Sequence, residues 1–63
     1  MKSTRTMVDE LEEAVDLNPD QVTDWEFGFV ESMVRLRDSG IGLTSLSEKQ
    51  IDSLLRIYNK VMV

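Results

Sequence analysis

The sequence predicts an all-α domain in which three helices pack as a compact bundle. Apolar residues recur at three- and four-residue steps in three segments, as expected for helices with one buried face. Pro19 and a pair of glycines separate these segments and favour breaks. Two segments open with capping-box patterns, Thr23-x-x-Glu26 and Ser47-x-x-Gln50. The predicted helices cover residues 6–17, 23–39 and 47–61.

The chain length and composition limit how this bundle can be stabilised. The 63 residues form one small helical domain, residues 1–63, in which residues 1–5 are expected to fray. A chain of this size buries only about 60% of its unfolded surface. It contains no Cys and no His, which excludes disulfides and the usual zinc sites. Stability therefore has to come from helix packing or from a partner, which includes a second copy of the chain.

The first predicted helix is amphipathic and acidic. Thr6 is its predicted N-cap, and Asp9 follows in the first turn, where a negative charge is favourable. One face carries the apolar residues Met7, Leu11, Ala14 and Val15, with Val8 at its edge. The acids repel one another at i,i+3 and i,i+4 spacings, each pair costing a few tenths of a kcal/mol. We therefore expect packing, rather than intrinsic helix stability, to hold this segment.

The second predicted helix has the broadest apolar surface. Pro19 ends the first helix, and the next helix starts either at Pro19 or at Thr23. A main helix from Thr23 to Ser39, with or without one short turn before it, is the preferred interpretation. A stripe contains Val22, Trp25, Phe29, Met33 and Leu36, with Val30 beside it and Phe27 and Val34 on the far side. This arc predicts either a central helix that touches both of the others or a helix that touches a partner. Trp25 and Phe29 are predicted at the middle of the bundle. Gly28 is either an incidental small residue or allows another helix to approach closely.

The third predicted helix has the clearest start. Ser47 and Gln50 form the capping box, Leu46 and Ile51 are spaced as a hydrophobic staple, and Gly40 is the predicted left-handed residue before it. The predicted buried stripe contains Ile51, Leu54, Leu55, Tyr58 and Met62, which Ile57 and Val61 widen. The core is predicted to contain Trp25, Phe29, Leu54 and Tyr58.

The sequence does not indicate an enzyme, a cofactor site or a metal site. Without His or Cys, few routes to nucleophilic catalysis remain, and no Ser/Lys pair is apparent. Glu12, Glu13 and Asp16 are a candidate carboxylate group for Mg²⁺ or Ca²⁺, as are Asp20 and Asp24. No calcium-loop pattern accompanies them, so a solvated helix face is the preferred interpretation. The start of the chain lacks the apolar segment of a signal peptide, and no run approaches the roughly 20 apolar residues of a membrane span. We expect a cytoplasmic protein with no membrane partner.

The charge is distributed unequally along the chain. The net charge is −5, but residues 1–31 have a balance of −7 and residues 32–63 a balance of +2. The overall acidity disfavours a general nucleic-acid-binding protein. Direct nucleic-acid binding remains an alternative because the second half contains a candidate basic patch. Its members are Arg35, Arg37, Lys49, Arg56 and Lys60.

The region from residue 23 to residue 61 resembles a helical segment of phage and bacterial DNA replication and recombination proteins. The shared pattern is W-E-x-x-F-(I/V)-x-S, followed by L-(S/T)-x-K-Q-x-x-x-L-x-x-I. It begins at Trp25 in the second predicted helix and at Leu46 before the third. No single family is identified. The resemblance implies a small, phage-encoded accessory or inhibitor protein that acts on nucleic-acid machinery.

These observations favour a non-enzymatic, protein-binding function. The expected partner is a protein of the DNA replication, recombination or transcription machinery. The candidate contact residues are Glu10, Glu13, Asp16, Phe27 and Val34. A structural homo-oligomer is a further alternative, and its predicted seam contains Phe27, Val34, Ile57 and Val61.

Overall fold

The computed structural model describes residues 2–39 and 42–62, and it contains three α-helices and no strand in that part of the chain. The elements are α1 (Thr4–Leu17), a 3₁₀ turn (Pro19–Gln21), α2 (Asp24–Asp38) and α3 (Glu48–Met62). They form a globule with principal extents of 29 × 21 × 19 Å. The predicted all-α, three-helix architecture is confirmed.

Both predicted capping boxes are present. Glu26 N–H donates to Thr23 Oγ1 at 3.2 Å, and Thr23 N–H donates to Glu26 Oε1 at 2.8 Å. The same reciprocal pair joins Ser47 and Gln50, at 3.2 and 2.9 Å. Because each pair satisfies amides that have no partner within the helix, the local sequence defines where α2 and α3 begin.

The start of α1 differs from the prediction. Ser3, not Thr6, is the N-cap, and its Oγ accepts from Thr6 N–H at 3.2 Å. Thr4 and Arg5, which were expected to fray, are therefore in the first turn of the helix. Because the cap lies three residues earlier than Thr6, the observed helix is longer than the predicted one.

A turn that includes Gly42 follows the end of α2. Ser39 is the C-cap, and its hydroxyl donates to Leu36 O at 2.7 Å. Gly40, the predicted left-handed residue, lies outside the described residues. Gly42 has φ = +73°, a conformation that favours glycine because it has no Cβ.

The core lies where α1 meets α2 and α3. Its fully or nearly fully buried residues are Val8, Leu11, Val15, Val30, Met33, Leu54 and Ile57. α1 supplies three of these seven and makes the main helix contacts, with α2 and with α3. The central helix is therefore α1, and the prediction that the second helix is central is wrong. The apolar arc of α2 is wide, but only Val30 and Met33 are fully or nearly fully buried in the core.

Two predicted core faces are rotated relative to the observed ones. Trp25 is 66% exposed, so its predicted place at the centre of the bundle is wrong, whereas Phe29 is half-buried against the core. On α3, Leu54 is buried as predicted and Tyr58 is half-buried, but Ile57 takes the second fully buried position. The other predicted stripe members, Ile51, Leu55 and Met62, are each about 40% exposed. Each of these helices has an apolar arc wider than the part that is buried, and its own periodicity does not choose which part of the arc faces the core.

Candidate protein-binding cleft between the first two helices

A cleft of about 230 Å³ lies between α1 and α2. Its apolar wall is formed by Val15, Phe27, Val30 and Val34. Val15 and Val30 are buried, whereas Phe27 is 38% exposed. Its charged wall is formed by Glu12, Asp16, Glu31 and Arg35. The site therefore combines an accessible apolar surface with a mainly acidic border.

Helical spacing places these residues on facing edges. On α1, Glu12, Val15 and Asp16 are separated by three and one positions and share one side of the helix. On α2, the lining residues start at Phe27 and recur at i+3, i+4, i+7 and i+8 as far as Arg35. Because Val15 and Val30 are buried in the core, their polar neighbours border the opening between the helices.

Arg37 neutralises part of the acidic surface beside the cleft. Its guanidinium donates to Asp38 at 3.0 Å, to Glu12 at 2.9 Å and to Asp9 at 2.6 Å. The Asp38 hydrogen bond, followed by that of Glu12, raises the pKa of Arg37, and the same contact lowers the pKa of Asp38. The Arg37 side chain is only 12% exposed, and its ion pairs join α1 to α2.

The remaining border charges of the cleft are available. Asp16, Glu31 and Arg35 make no ion pair with any residue that the structure describes. All three are exposed. With Glu12 held by Arg37, the free border carries two carboxylates and one guanidinium. The opening is therefore mildly anionic and complementary to a cationic ligand.

The structure brings together three of the five predicted protein-contact residues. Asp16, Phe27 and Val34 all line the cleft. Glu10 and Glu13 do not, because they lie on another edge of α1, along a groove towards α3. The sequence interpretation did not assign the other five lining residues to the protein contact: Glu12, Val15, Val30, Glu31 and Arg35. Helical spacing could have found three of them, because Val30 and Glu31 lie three and four positions after Phe27 and Glu12 lies four positions before Asp16.

Glu10 instead belongs to a cluster that fastens the start of the chain. Lys2 Nζ lies 2.8 Å from Glu10 Oε1 and donates to Tyr58 Oη at 2.9 Å, and that hydroxyl donates to Glu10 Oε2 at 3.0 Å. The Lys2 hydrogen bond lowers the pKa of Glu10, and the Glu10 carboxylate raises the pKa of Lys2. This cluster joins the residue before the Ser3 cap to α1 and α3.

The predicted basic patch is dispersed and largely paired. Besides Arg37, Arg56 lies 3.2 Å from Asp52 and Lys60 lies 2.7 Å from Glu26. Arg35 borders the cleft, and Lys49 is exposed and makes no ion pair with a described residue. Three of the five predicted nucleic-acid contacts are therefore already neutralised by carboxylates of the same chain.

The predicted oligomer seam is only partly at the surface. Ile57 is 2% exposed, so its assignment to the seam is wrong. Val34 and Val61 are half-buried against the core, and Phe27 is exposed. Whether the chain forms an oligomer stays a prediction.

Within residues 2–39 and 42–62, no three carboxylate-bearing side chains are arranged to hold a metal ion. In the same residues, none of the helices has the length and apolar character required to cross a bilayer.

Comparisons of the chain with family models, with curated proteins and with solved structures found no match. The resemblance to DNA replication and recombination proteins therefore stays a prediction from the residues themselves.

Proposed function

We propose that this protein is a non-enzymatic, protein-binding module whose α1–α2 cleft receives a basic, apolar-anchored segment of a partner protein. The observation that carries this proposal is the juxtaposition of exposed Phe27 with unpaired Asp16 and Glu31 at one opening. Phe27 and Val34 offer apolar contact, and the two carboxylates offer partners for Lys or Arg.

The size of the cleft favours a peptide anchor over a small-molecule substrate. Its volume of about 230 Å³ lies below the range of about 300–1,000 Å³ that is usual for small-molecule pockets. One or two aliphatic side chains of a helix or an extended segment would fill it. Recognition by anchors spaced along a helix is a common way for one protein to bind another.

The sequence resemblance suggests the class of partner. Proteins that handle nucleic acid carry Lys- and Arg-rich segments, because these residues neutralise phosphates. An acidic cleft is complementary to such a segment and would compete with nucleic acid for it. The proposed role is therefore that of a phage-encoded accessory or inhibitor protein. It acts on DNA replication, recombination or transcription machinery, and we expect it in the cytoplasm because that machinery is found there.

The test uses a fluorescently labelled helical peptide with two leucines at i,i+4 flanked by lysines. We expect its anisotropy to rise on titration with the protein, and a matched peptide with glutamates in place of the lysines to bind at least about tenfold more weakly. Asp16→Lys should weaken binding of the basic peptide, and Phe27→Ala should remove the apolar contact. Chemical-shift changes in labelled protein should centre on Val15, Val30 and Val34.

The matched control is Glu13→Lys, which changes the net charge as Asp16→Lys does but lies on the α3 side of α1. It should leave affinity for the basic peptide nearly unchanged. Equal losses in the two variants, or shifts that centre away from the cleft, would overturn the proposal. Tight, salt-sensitive binding of a labelled oligonucleotide would instead favour the nucleic-acid alternative.

A further inference from the structure

The outward face of α2 is exposed and has an unusual composition for a solvated surface. Trp25 is 66% exposed and stacks on Phe29, with ring centroids 5.6 Å apart and planes inclined by 19°. Beside it lie Gly28 and Ser32, and these residues with Asp24 border a shallow groove. A Cβ placed on Gly28 would meet no atom within 4 Å, so no described residue packs over the middle of this face.

Small side chains leave the backbone of α2 accessible at the middle of this face. Ser32 directs its hydroxyl back to Gly28 O at 3.0 Å, which satisfies it locally. Gly28 costs the helix roughly 1 kcal/mol relative to alanine, and no helix of the same chain approaches it. A helix from another molecule could approach closely at this point.

The charges at the two ends of the face are opposite and unpaired. Asp24 lies in the first turn of α2 and Arg35 in the last turn. Eleven residues correspond to about 16 Å along the axis and to three turns, so both lie on the same side but cannot reach each other. Neither makes an ion pair with a described residue.

We infer that the partner of this face is a second copy of the chain, packed with its α2 antiparallel to the first. In a two-fold arrangement centred near the level of residue 30, positions equidistant from that level face each other. Gly28 then meets Ser32 of the second copy. Asp24 and Trp25 both meet Arg35 of the second copy, which gives an ion pair and a cation–π contact at each end.

This face is more complementary to a second copy of itself than to an apolar partner without charges. A two-fold pairing satisfies Asp24 and Arg35 twice, once at each end, and brings the glycine-containing segments together at the centre. A single pair of helices buries little surface, at the low end for specific interfaces. The dimer is therefore weak and reversible, and it forms between micromolar and millimolar concentration. Because the cleft lies on the neighbouring side of α2, each dimer carries two clefts.

Sedimentation equilibrium of two charge variants tests the arrangement. The wild-type mass should rise with concentration from 7.2 kDa towards twice that value. Asp24→Arg alone and Arg35→Asp alone place like charges opposite each other, so each should dimerise roughly tenfold or more weakly. An equal mixture of the two variants restores both ion pairs and should recover the dimer. A mixture that stays monomeric, or a wild type that stays monomeric to millimolar concentration, would refute the inference.

Gly28→Leu separates dimer loss from misfolding. Since a Cβ at this position meets no atom within 4 Å, the side chain has room on the outside of the helix. The circular dichroism of the variant should match that of the wild type, while its mass remains that of a monomer. Dimerisation of Gly28→Leu at wild-type strength would contradict the proposed geometry.

Arg35 borders both surfaces, but Asp24 and Gly28 lie outside the cleft. Their variants should keep the affinity for the basic peptide, and this distinguishes a failure here from a failure of the proposed function.

Discussion

Gly28 and Gly42 both have open surroundings, but they affect the free energy of unfolding differently. Gly28 lies within α2, where its missing Cβ costs conformational entropy on folding. Gly42 has φ = +73° in the turn between α2 and α3. A Cβ on either residue would meet nothing within 4 Å, so steric crowding cannot distinguish them. Backbone conformation is the remaining difference.

Alanine at these two positions should therefore have effects of opposite sign. Gly28→Ala is expected to raise the free energy of unfolding by about 0.5–1 kcal/mol, because alanine favours the helix. Gly42→Ala is expected to lower it by about 1–2 kcal/mol, because an L-residue is strained at positive φ. Urea titration followed by circular dichroism, at a concentration where the chain is monomeric, measures both. Stabilisation by both variants would mean that the turn does not need glycine.

At the scale of elements, one carboxylate serves two helices. Glu26 Oε1 accepts from Thr23 N–H at 2.8 Å, which completes the α2 capping box, and from Lys60 Nζ at 2.7 Å, which joins the end of α3. The Lys60 hydrogen bond, followed by that of the Thr23 amide, lowers the pKa of Glu26 from its ordinary value of 4.5. The start of α2 and the end of α3 are thus coupled through a single charge.

This coupling predicts a specific acid sensitivity. Because the pKa of Glu26 is lower in the folded state than in the unfolded chain, its contribution is present above pH 4.5 and is lost as the pH falls through the folded value. Glu26→Gln should be less stable at pH 7 and should lose less further stability on acidification than the wild type. The measurement is the urea midpoint as a function of pH.

The control for this experiment is Glu48→Gln, which removes a first-turn carboxylate that makes no ion pair with a described residue. Its stability should decline with acid in nearly the same way as that of the wild type. An acid dependence of Glu26→Gln that matches the wild type would show that the Lys60 contact contributes nothing in solution.

The helices also show which structural features can be predicted from residues close together in the sequence. Capping boxes could be predicted because their partners are three residues apart, and both were found. The rotation of each helix could not, because it depends on the surface that another helix presents. Trp25 satisfies the apolar spacing of α2 but faces solvent, whereas Ile57 was assigned to the margin of α3 and is buried. For the same reason, the sequence predicts the Phe27 and Val34 edge of α2 and the acid Asp16 of α1 as separate contacts, and only packing of α1 on α2 places them in one cleft.

At the scale of the molecule, stability depends on a few side chains. The seven core residues come from all three helices. At roughly 0.05–0.15 kcal/mol per residue, a domain of this size has a free energy of unfolding of about 3–9 kcal/mol. The loss of one well-packed leucine is a large part of that amount. Exposed apolar residues, even large ones, contribute little to the free energy of unfolding.

Leu54 and Trp25 provide the clearest test of this division. Leu54 is 0% exposed, and Leu54→Ala is expected to cost about 2–5 kcal/mol because it removes buried methyl groups and leaves a cavity. Trp25 is 66% exposed, so Trp25→Ala should cost less than about 1 kcal/mol in the monomer despite the larger side chain. Urea unfolding at low concentration gives both values, with Leu17→Ala as a control at an 80% exposed position. If Trp25→Ala unfolded the chain as Leu54→Ala does, Trp25 would belong to the core, and the outward face of α2 would not be available to a second copy.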